Sequence, residues 1–336
     1  MGKTLKTGLL GYGTIAGAHM GGYNTLSAEG IVNVEAVCDI RSERLEGLKY
    51  RTYTDIDSFL TSEKGKLDYV DICLPTYLHA EVACKAMEKG FNVLCEKPMA
   101  LSTDQCDKMI ETSKRTGKTL MIAQCCRFTG MMKLIRSYIA DGTMGKVRFA
   151  EFFREGGGTG PSGYMNWFKQ EHLSGGAILD LHIHDVDMLL WLLGTPDYVA
   201  SSGMNIIPGA GIDSLSTNYT YADKYARIFC DWTIAHDKFN VRAYRINFEK
   251  GYIYCETTGG RQACVSVGID GTVTDLSEHN RGNMYCEEIR YYCGCIADGK
   301  PVDMCPPEDS RRAVAVALRE KESIHTKSTI SLKGIN

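Results

Sequence analysis

Gly11-Tyr12-Gly13-Thr14-Ile15-Ala16 follows directly on the strand-like run Leu5-Lys6-Thr7-Gly8-Leu9-Leu10 and opens a helical stretch that continues to about Thr25. A second β-rich run, Val32–Asp39, ends in an acid. Strand, glycine turn, helix, strand and terminal carboxylate in this order form a dinucleotide-binding βαβ unit. Gly11 allows the tight turn, Gly13 lets the backbone approach a pyrophosphate, and Ala16 lets helix and strand pack closely. Thr14 and Ile15 open the helix, whose free N–H groups and positive dipole end face the anion. Asp39 accepts hydrogen bonds from the adenosine ribose hydroxyls and repels a 2′-phosphate, which favours NAD over NADP. Arg41 nearby keeps the phosphorylated cofactor open.

Outward from this unit the alternation continues. Leu67–Leu74 is nearly unbroken in apolar residues, as in a buried parallel strand, and Pro75-Thr76 stops it. His79–Lys89 reads as a helix ending at Gly90, Asn92–Cys95 as a strand closed by Glu96-Lys97-Pro98, Asp104–Thr116 as a helix ending at Gly117, and Thr119–Gln124 as a further strand. This predicts an α/β fold whose N-terminal domain, residues 1–125, is a doubly wound parallel sheet. Ligands bind such sheets at the carboxyl ends of the strands, where Gly11–Ala16, Asp39, Pro75, Thr76, His79 and Glu96-Lys97 all fall.

Composition agrees. The 336 residues suit two domains, and 44% hydrophobic with 24% charged residues is globular. A net charge of −3 offers phosphate backbones no long-range attraction, so nucleic acid is not an expected partner. No run approaches the ~20 apolar residues of a membrane span. The N-terminus has no apolar segment of signal-peptide length. Fourteen cysteines are scattered, several within apolar strand-like runs, with no Cys-x-x-Cys. They read as reduced core thiols of a cytoplasmic protein.

Gly11–Ala16 with His19, Leu74-Pro75-Thr76 with His79, and Glu96-Lys97-Pro98 together resemble the glucose–fructose oxidoreductase / inositol dehydrogenase (Gfo/Idh/MocA) family. The resemblance extends to Ser174-Gly175-Gly176, which leads into a helix carrying Asp180, His184, Asp187 and Trp191. Asp180, His184 and Asp187 fall at i, i+4 and i+7, so one face of a regular helix presents carboxylate, imidazole and carboxylate in a row. Capping of the helix by Asp180 is the structural alternative. The family's catalytic group implies the roles of Lys97, Asp180 and His184. Lys97 would hold the substrate oxygen, His184 would act as general base, and Asp180 would orient His184 or bind a neighbouring hydroxyl. By the same resemblance Asp187 faces a polyol. His182 departs from the small residue common at its position. It diverges from His184 by about 200° on an ideal helix and reads as a packed histidine. A metal on Asp180, His184 and Asp187 is geometrically open, but none is expected where Lys97 supplies the charge.

After Gln124 the pattern changes. A helix over Arg127–Ala140 precedes β-rich runs at Val147–Phe153, Tyr198–Ile206, Asp213–Tyr221, Tyr225–Thr233, Val241–Phe248, Gly251–Glu256 and Ala263–Val267. They predict a C-terminal α+β domain, residues 126–336, with a large open, mainly antiparallel sheet. The resemblance makes this domain the substrate and oligomerisation domain of a homodimer or homotetramer. The glycine-rich stretch Glu155–Gly163 reads as a mobile loop over the cleft, and Tyr164, Asn166, Trp167 and Lys169 after it as a sugar-binding wall, with a simple hydrophobic anchor as the alternative. Arg154 and Tyr244 complete the candidate pocket. A terminal helix over Arg311–Ser323 carries Arg311, Arg312, Arg319, Glu320 and Lys321 as a solvated face.

The expected function is NAD-dependent hydride transfer from a secondary hydroxyl of a sugar, glycoside or inositol, glycoside 3-dehydrogenases included. The alternative is a glycoside hydrolase or lyase that retains NAD and oxidises its substrate only transiently. A non-catalytic binding protein fits poorly with Lys97, Asp180 and His184 all present.

Overall fold

In the computed structural model, which describes residues 3–156, 164–233 and 240–335, the expected alternation is present from the first strand. The elements are β1 (Leu5–Leu10), α1 (Thr14–Ala28), β2 (Val32–Cys38), β3 (Arg51–Tyr53), α2 (Ile56–Ser62), β4 (Tyr69–Ile72), α3 (His79–Lys89), β5 (Asn92–Glu96), α4 (Thr103–Thr116) and β6 (Leu120–Ala123). The six strands form one parallel sheet in the order β3-β2-β1-β4-β5-β6, the doubly wound order that reverses between β1 and β4. Helix α4 starts at Ser102, whose hydroxyl accepts from the Gln105 N–H, and α3 and α4 stop at Gly90 and Gly117 as read. The buried strand is shorter than its apolar run: Cys73 and Leu74 have already left β4.

The chain divides into two compact units, one of residues 1–128 with 283–311, the other of 129–282 with 312–336. A single cut between 125 and 126 therefore misses a return crossing. Residues 284–298 form a helix that sits on α1 in the first unit, and its Cys286, Ile289, Tyr292 and Cys293 join Tyr23, Leu26, Tyr69 and Leu94 in one core. The approach is close, for a Cβ at Gly22 would lie 3.1 Å from the Cys286 Cα. The sequence does not announce this helix, because its cysteines and tyrosines lack the aliphatic periodicity that marks a core-facing stripe.

In the second unit, α5 (Gly130–Asp141) is capped by Thr129 and followed by β7 (Val147–Glu155), α6 (Glu171–Ser174) and α7 (Ile183–Leu193). Strands β8 (Tyr198–Met204), β9 (Ser214–Thr220), β10 (Tyr225–Asp231), β11 (Val241–Phe248), β12 (Gly251–Thr258), β13 (Arg261–Gly268) and β14 (Val273–Asp275) come next. The helix over Met284–Asp298 is α8; α9 (Pro307–Thr326) and β15 (Ile330–Ser331) close the chain. The nine-stranded sheet runs β14-β13-β12-β11-β7-β10-β9-β8-β15. Only the β7–β10 pair is parallel, so the sheet is mainly antiparallel, as expected. Of the glycine-rich loop, residues 157–163 lie outside the described residues.

Candidate functional site

The loop after β1 has the geometry its sequence requires. Gly11 has φ +92°, and a Cβ there would stand 2.5 Å from the Cys73 carbonyl oxygen, so no other residue fits without moving β4. Gly13 caps α1 with no side-chain hydrogen bond, the first turn carries no acid, and a Cβ at Gly13 would meet nothing within 4 Å. The amide end of a 15-residue helix, headed by Thr14 and Ile15, therefore opens on free space that an anion can approach. Ala16 is fully buried against the sheet, as close packing demands. These observations fit a dinucleotide pyrophosphate.

Asp39 stands just beyond β2. It accepts the Tyr12 and Arg41 backbone N–H groups, each at 2.9 Å, and the Arg41 guanidinium through Nε at 3.1 Å and Nη2 at 3.2 Å. Burial works to raise its pKa, but these bonds together hold it below the usual carboxylate range. An ionised acid at this place suits a ribose diol, and Arg41 is clasped onto it.

Lys97 follows the last residue of β5, and two histidines brace the chain around it. His19, on α1, sits fully buried with Nδ1 2.7 Å from Asp71 Oδ2 and Nε2 2.9 Å from Glu96 Oε1. The other oxygen of Glu96 accepts the Lys97 backbone N–H at 3.0 Å. Tyr23 donates to Asp71 at 2.8 Å. Burial opposes a charged His19, yet the Asp71 carboxylate holds its pKa well above the ordinary histidine value, so the ring is a cation between two acids. His79 aims Nδ1 at the Pro98 carbonyl and Nε2 at the Leu74 carbonyl, both at 2.8 Å. It ties the Leu74-Pro75-Thr76 turn, in which Thr76 is buried, to the Lys97-Pro98 turn, which has a cis peptide bond. Both ring nitrogens of His79 are thus engaged by the protein, and burial lowers its pKa.

His19 Nδ1, an Asp71 oxygen and Cys73 Sγ lie within 4.8 Å of one another, but a protonated imidazole and a neutral thiol are not metal ligands. All three are buried and hydrogen-bonded to each other, and burial with the Asp71 charge pushes the Cys73 thiol up to about 12. Glu288 of α8 is a neighbour that the sequence did not reveal. It is fully buried, and neither carboxyl oxygen has a hydrogen-bond partner among the described residues. Burial first, then the charge of Glu96, puts its pKa well above the carboxylate range, so it stays protonated.

In the second unit, Asp180 and His184 are carried as expected at the start of a buried helix, but the helix is not regular. Ile178–His182 is a π-turn that runs into α7. Its extra residue breaks the i, i+4, i+7 row. Asp180 and His184 remain partly exposed, whereas Asp187 is fully buried. Arg154 is nearly buried and grips Asp185 with two bonds, Nε at 2.8 Å and Nη2 at 2.6 Å. Tyr244, on β11, is half-buried opposite Phe152 and Cys255. Tyr164 and Asn166 are exposed, while Trp167 and Lys169 are half-buried. Met165 and Asn166 both take φ +55°, a left-handed pair that turns the chain sharply there. His182 is packed, as read. Glu320, read as part of a solvated face, is instead fully buried. The run Arg311–Lys321 conceals it, since one acid among several charges looks solvated in sequence.

Two family models match, one described as "Oxidoreductase family, NAD-binding Rossmann fold" over residues 5–124 and one as "GFO/IDH/MocA C-terminal domain" over residues 132–254. Among curated relatives, 2,7-anhydro-N-acetylneuraminate hydratase of Mediterraneibacter gnavus is 31% identical over 73% of this chain and 65% of its own length. D-Glucoside 3-dehydrogenase of Escherichia coli is 29% identical over 57% of this chain and 55% of its own length. The chain thus spans less than two thirds of either relative. A solved oxidoreductase from Agrobacterium radiobacter, in complex with NAD+, L-tartaric acid and magnesium, superposes with a TM-score of 0.82 at 18% identity over 99% of both chains, a likeness of fold. The parallel sheet with its glycine loop and the mainly antiparallel sheet after it are each matched in turn: the chain belongs to the Gfo/Idh/MocA family of oxidoreductases, and its first domain is an NAD-binding Rossmann domain.

Proposed function

We propose that the chain is an NAD-dependent dehydrogenase acting on a secondary hydroxyl of a sugar, glycoside or inositol. The observation that carries this reading is the braced turn at Lys97, at the carboxyl edge of a parallel sheet whose glycine loop and ionised Asp39 suit NAD. The unit that contains residues 1–125 holds the cofactor, and the rest of the chain, apart from the returning residues 283–311, holds the substrate and pairs with a second copy. When bound, NAD supplies the hydride acceptor. Lys97 fixes the substrate oxygen and stabilises the negative charge that develops on it. His184 takes the hydroxyl proton, and Asp180 orients His184 or bonds an adjacent hydroxyl. Tyr164, Asn166 and Trp167 form the sugar wall. Arg154 and Asp187 serve from behind, the first through Asp185 and the second from a buried position. The 3-dehydrogenase among the relatives supports a glycoside substrate. Aromatic pairs on the large sheet, Phe149 with Tyr225 and Phe153 with Phe229, support a sheet face covered by another copy.

A second reading is favoured by the hydratase named among the relatives: a substrate oxidised only transiently, with NAD retained. NADH absorbance separates the two when the purified protein is screened with NAD+ and NADP+ against inositols, aldoses and aryl glucosides at about pH 7–9. NADH accumulating in step with product is the expected result. Product without net NADH selects the second reading, and no turnover of any polyol overturns both.

A further inference from the structure

The π-turn at Ile178–His182 departs from regular helix geometry. A π-turn closes its ring with one residue more than an α-turn, so side chains on either side of it are rotated relative to a regular helix. Asp180 lies inside the turn and His184 just beyond it. Their mutual angle is therefore set by the turn, and the turn has to be held by something outside it.

What holds it comes from far along the chain. His182, the last residue of the turn, is fully buried, with Nε2 2.5 Å from Glu320 Oε2. Glu320 projects from α9 and is itself fully buried. Its Oε1 accepts the Tyr219 hydroxyl at 2.7 Å, and its Oε2 accepts the Thr217 hydroxyl at 3.3 Å. Tyr219 and Thr217 are alternate residues of β9, and Thr217 is fixed in turn by Ser201 of β8 at 2.8 Å. His182 Nδ1 has no hydrogen-bond partner among the described residues. An acid, an imidazole with one unsatisfied nitrogen, a phenol and a hydroxyl are all buried in one place. Apolar side chains of the same volume would fill it at lower free-energy cost. Polar groups kept under that cost can serve to fix a geometry.

We propose that Glu320 is a positioning residue: through His182 it holds the Ile178–His182 turn in its π form and thereby sets the angle between the Asp180 carboxyl and the His184 ring. The effect on turnover rests on the dehydrogenase reading above, whereas the clamp on the turn does not.

Glu320→Ala and Glu320→Gln, compared by hydrogen exchange and by steady-state kinetics with NAD+ and methyl β-D-glucoside or myo-inositol, test it. In Glu320→Ala, amides of residues 178–184 exchange faster while β11 and β12 keep their protection. Turnover falls by about 10²-fold, the cost of a small misplacement of reacting groups, and KM for NAD+ is unchanged. Glu320→Gln keeps an acceptor oxygen and recovers most of both. Should Glu320→Ala fail to fold, Tyr219→Phe removes one donor to Glu320 and shifts exchange and turnover in the same direction. Unchanged exchange over 178–184, or faster exchange with undiminished turnover, overturns the proposal. Local loosening in a protein whose wild type oxidises neither compound, nor any other polyol of the screen, supports the clamp and counts against the dehydrogenase reading.

Discussion

Glu288 shows how a single buried group sets a pH dependence. Its carboxyl holds a proton in the folded chain well above the value near 4.3 at which it titrates when unfolded. The stability gained from that proton is complete below about pH 4.3 and is lost as pH rises toward the folded pKa. His19, also raised, contributes in the same direction from about pH 6.5 upward. Glu288→Gln keeps the shape and removes one of the two titrations. Thermal melts at pH 5 and pH 8 are expected to differ less in the variant than in the wild type, and an identical difference would contradict the assignment. Residues at this scale divide by reach. Lys97, Asp180 and His184 are nameable as candidates because their neighbours in sequence form recognisable strings. Glu288 and Glu320 are not, since their surroundings are assembled from residues far away in the chain and the sequence shows only a charge on a helix.

At the scale of elements, the strand–turn–helix of β1 and α1 was fully legible, because the glycines, the apolar strand and the terminal acid all point to one geometry. Gly11→Ala tests that geometry. A Cβ 2.5 Å from the Cys73 carbonyl oxygen at φ +92° forces the loop away from β4. Isothermal titration is expected to show NAD+ affinity reduced at least about tenfold, together with ~1 kcal/mol or more of lost stability. Wild-type affinity in a folded variant would mean that the loop does not contact the cofactor. The π-turn was not legible. Reading apolar periodicity assumes 3.6 residues per turn, and the inserted residue appears only once tertiary contacts hold it. Helix α8 was missed for a related reason, its buried face being made of cysteine, tyrosine and a glutamic acid rather than aliphatic residues.

Across the whole molecule, the order of secondary-structure types predicted both sheets, while the return of residues 283–311 to the first unit could not be read from a local pattern. The cysteines were legible as a class. All 14 are free thiols, thirteen are buried and Cys126 is partly exposed. Burial raises several of them, Cys38 and Cys106 to about 12, which leaves them inert to thiol reagents. Ellman's reagent is expected to find all 14 thiols in guanidinium and about one in the native protein. Rapid native reaction of several thiols would contradict this packing. Among the described residues no helix is long and apolar enough to cross a membrane.

The central claim is that Lys97, carried on its braced turn, does the electrostatic work of the proposed carbinol oxidation. Its most direct test is the initial rate of NADH formation by Lys97→Ala on the best polyol of the screen, with NAD+ affinity measured alongside. The account predicts a rate lower by about 10²–10³-fold with NAD+ affinity preserved. A variant that turns over its polyol at the wild-type rate would contradict it.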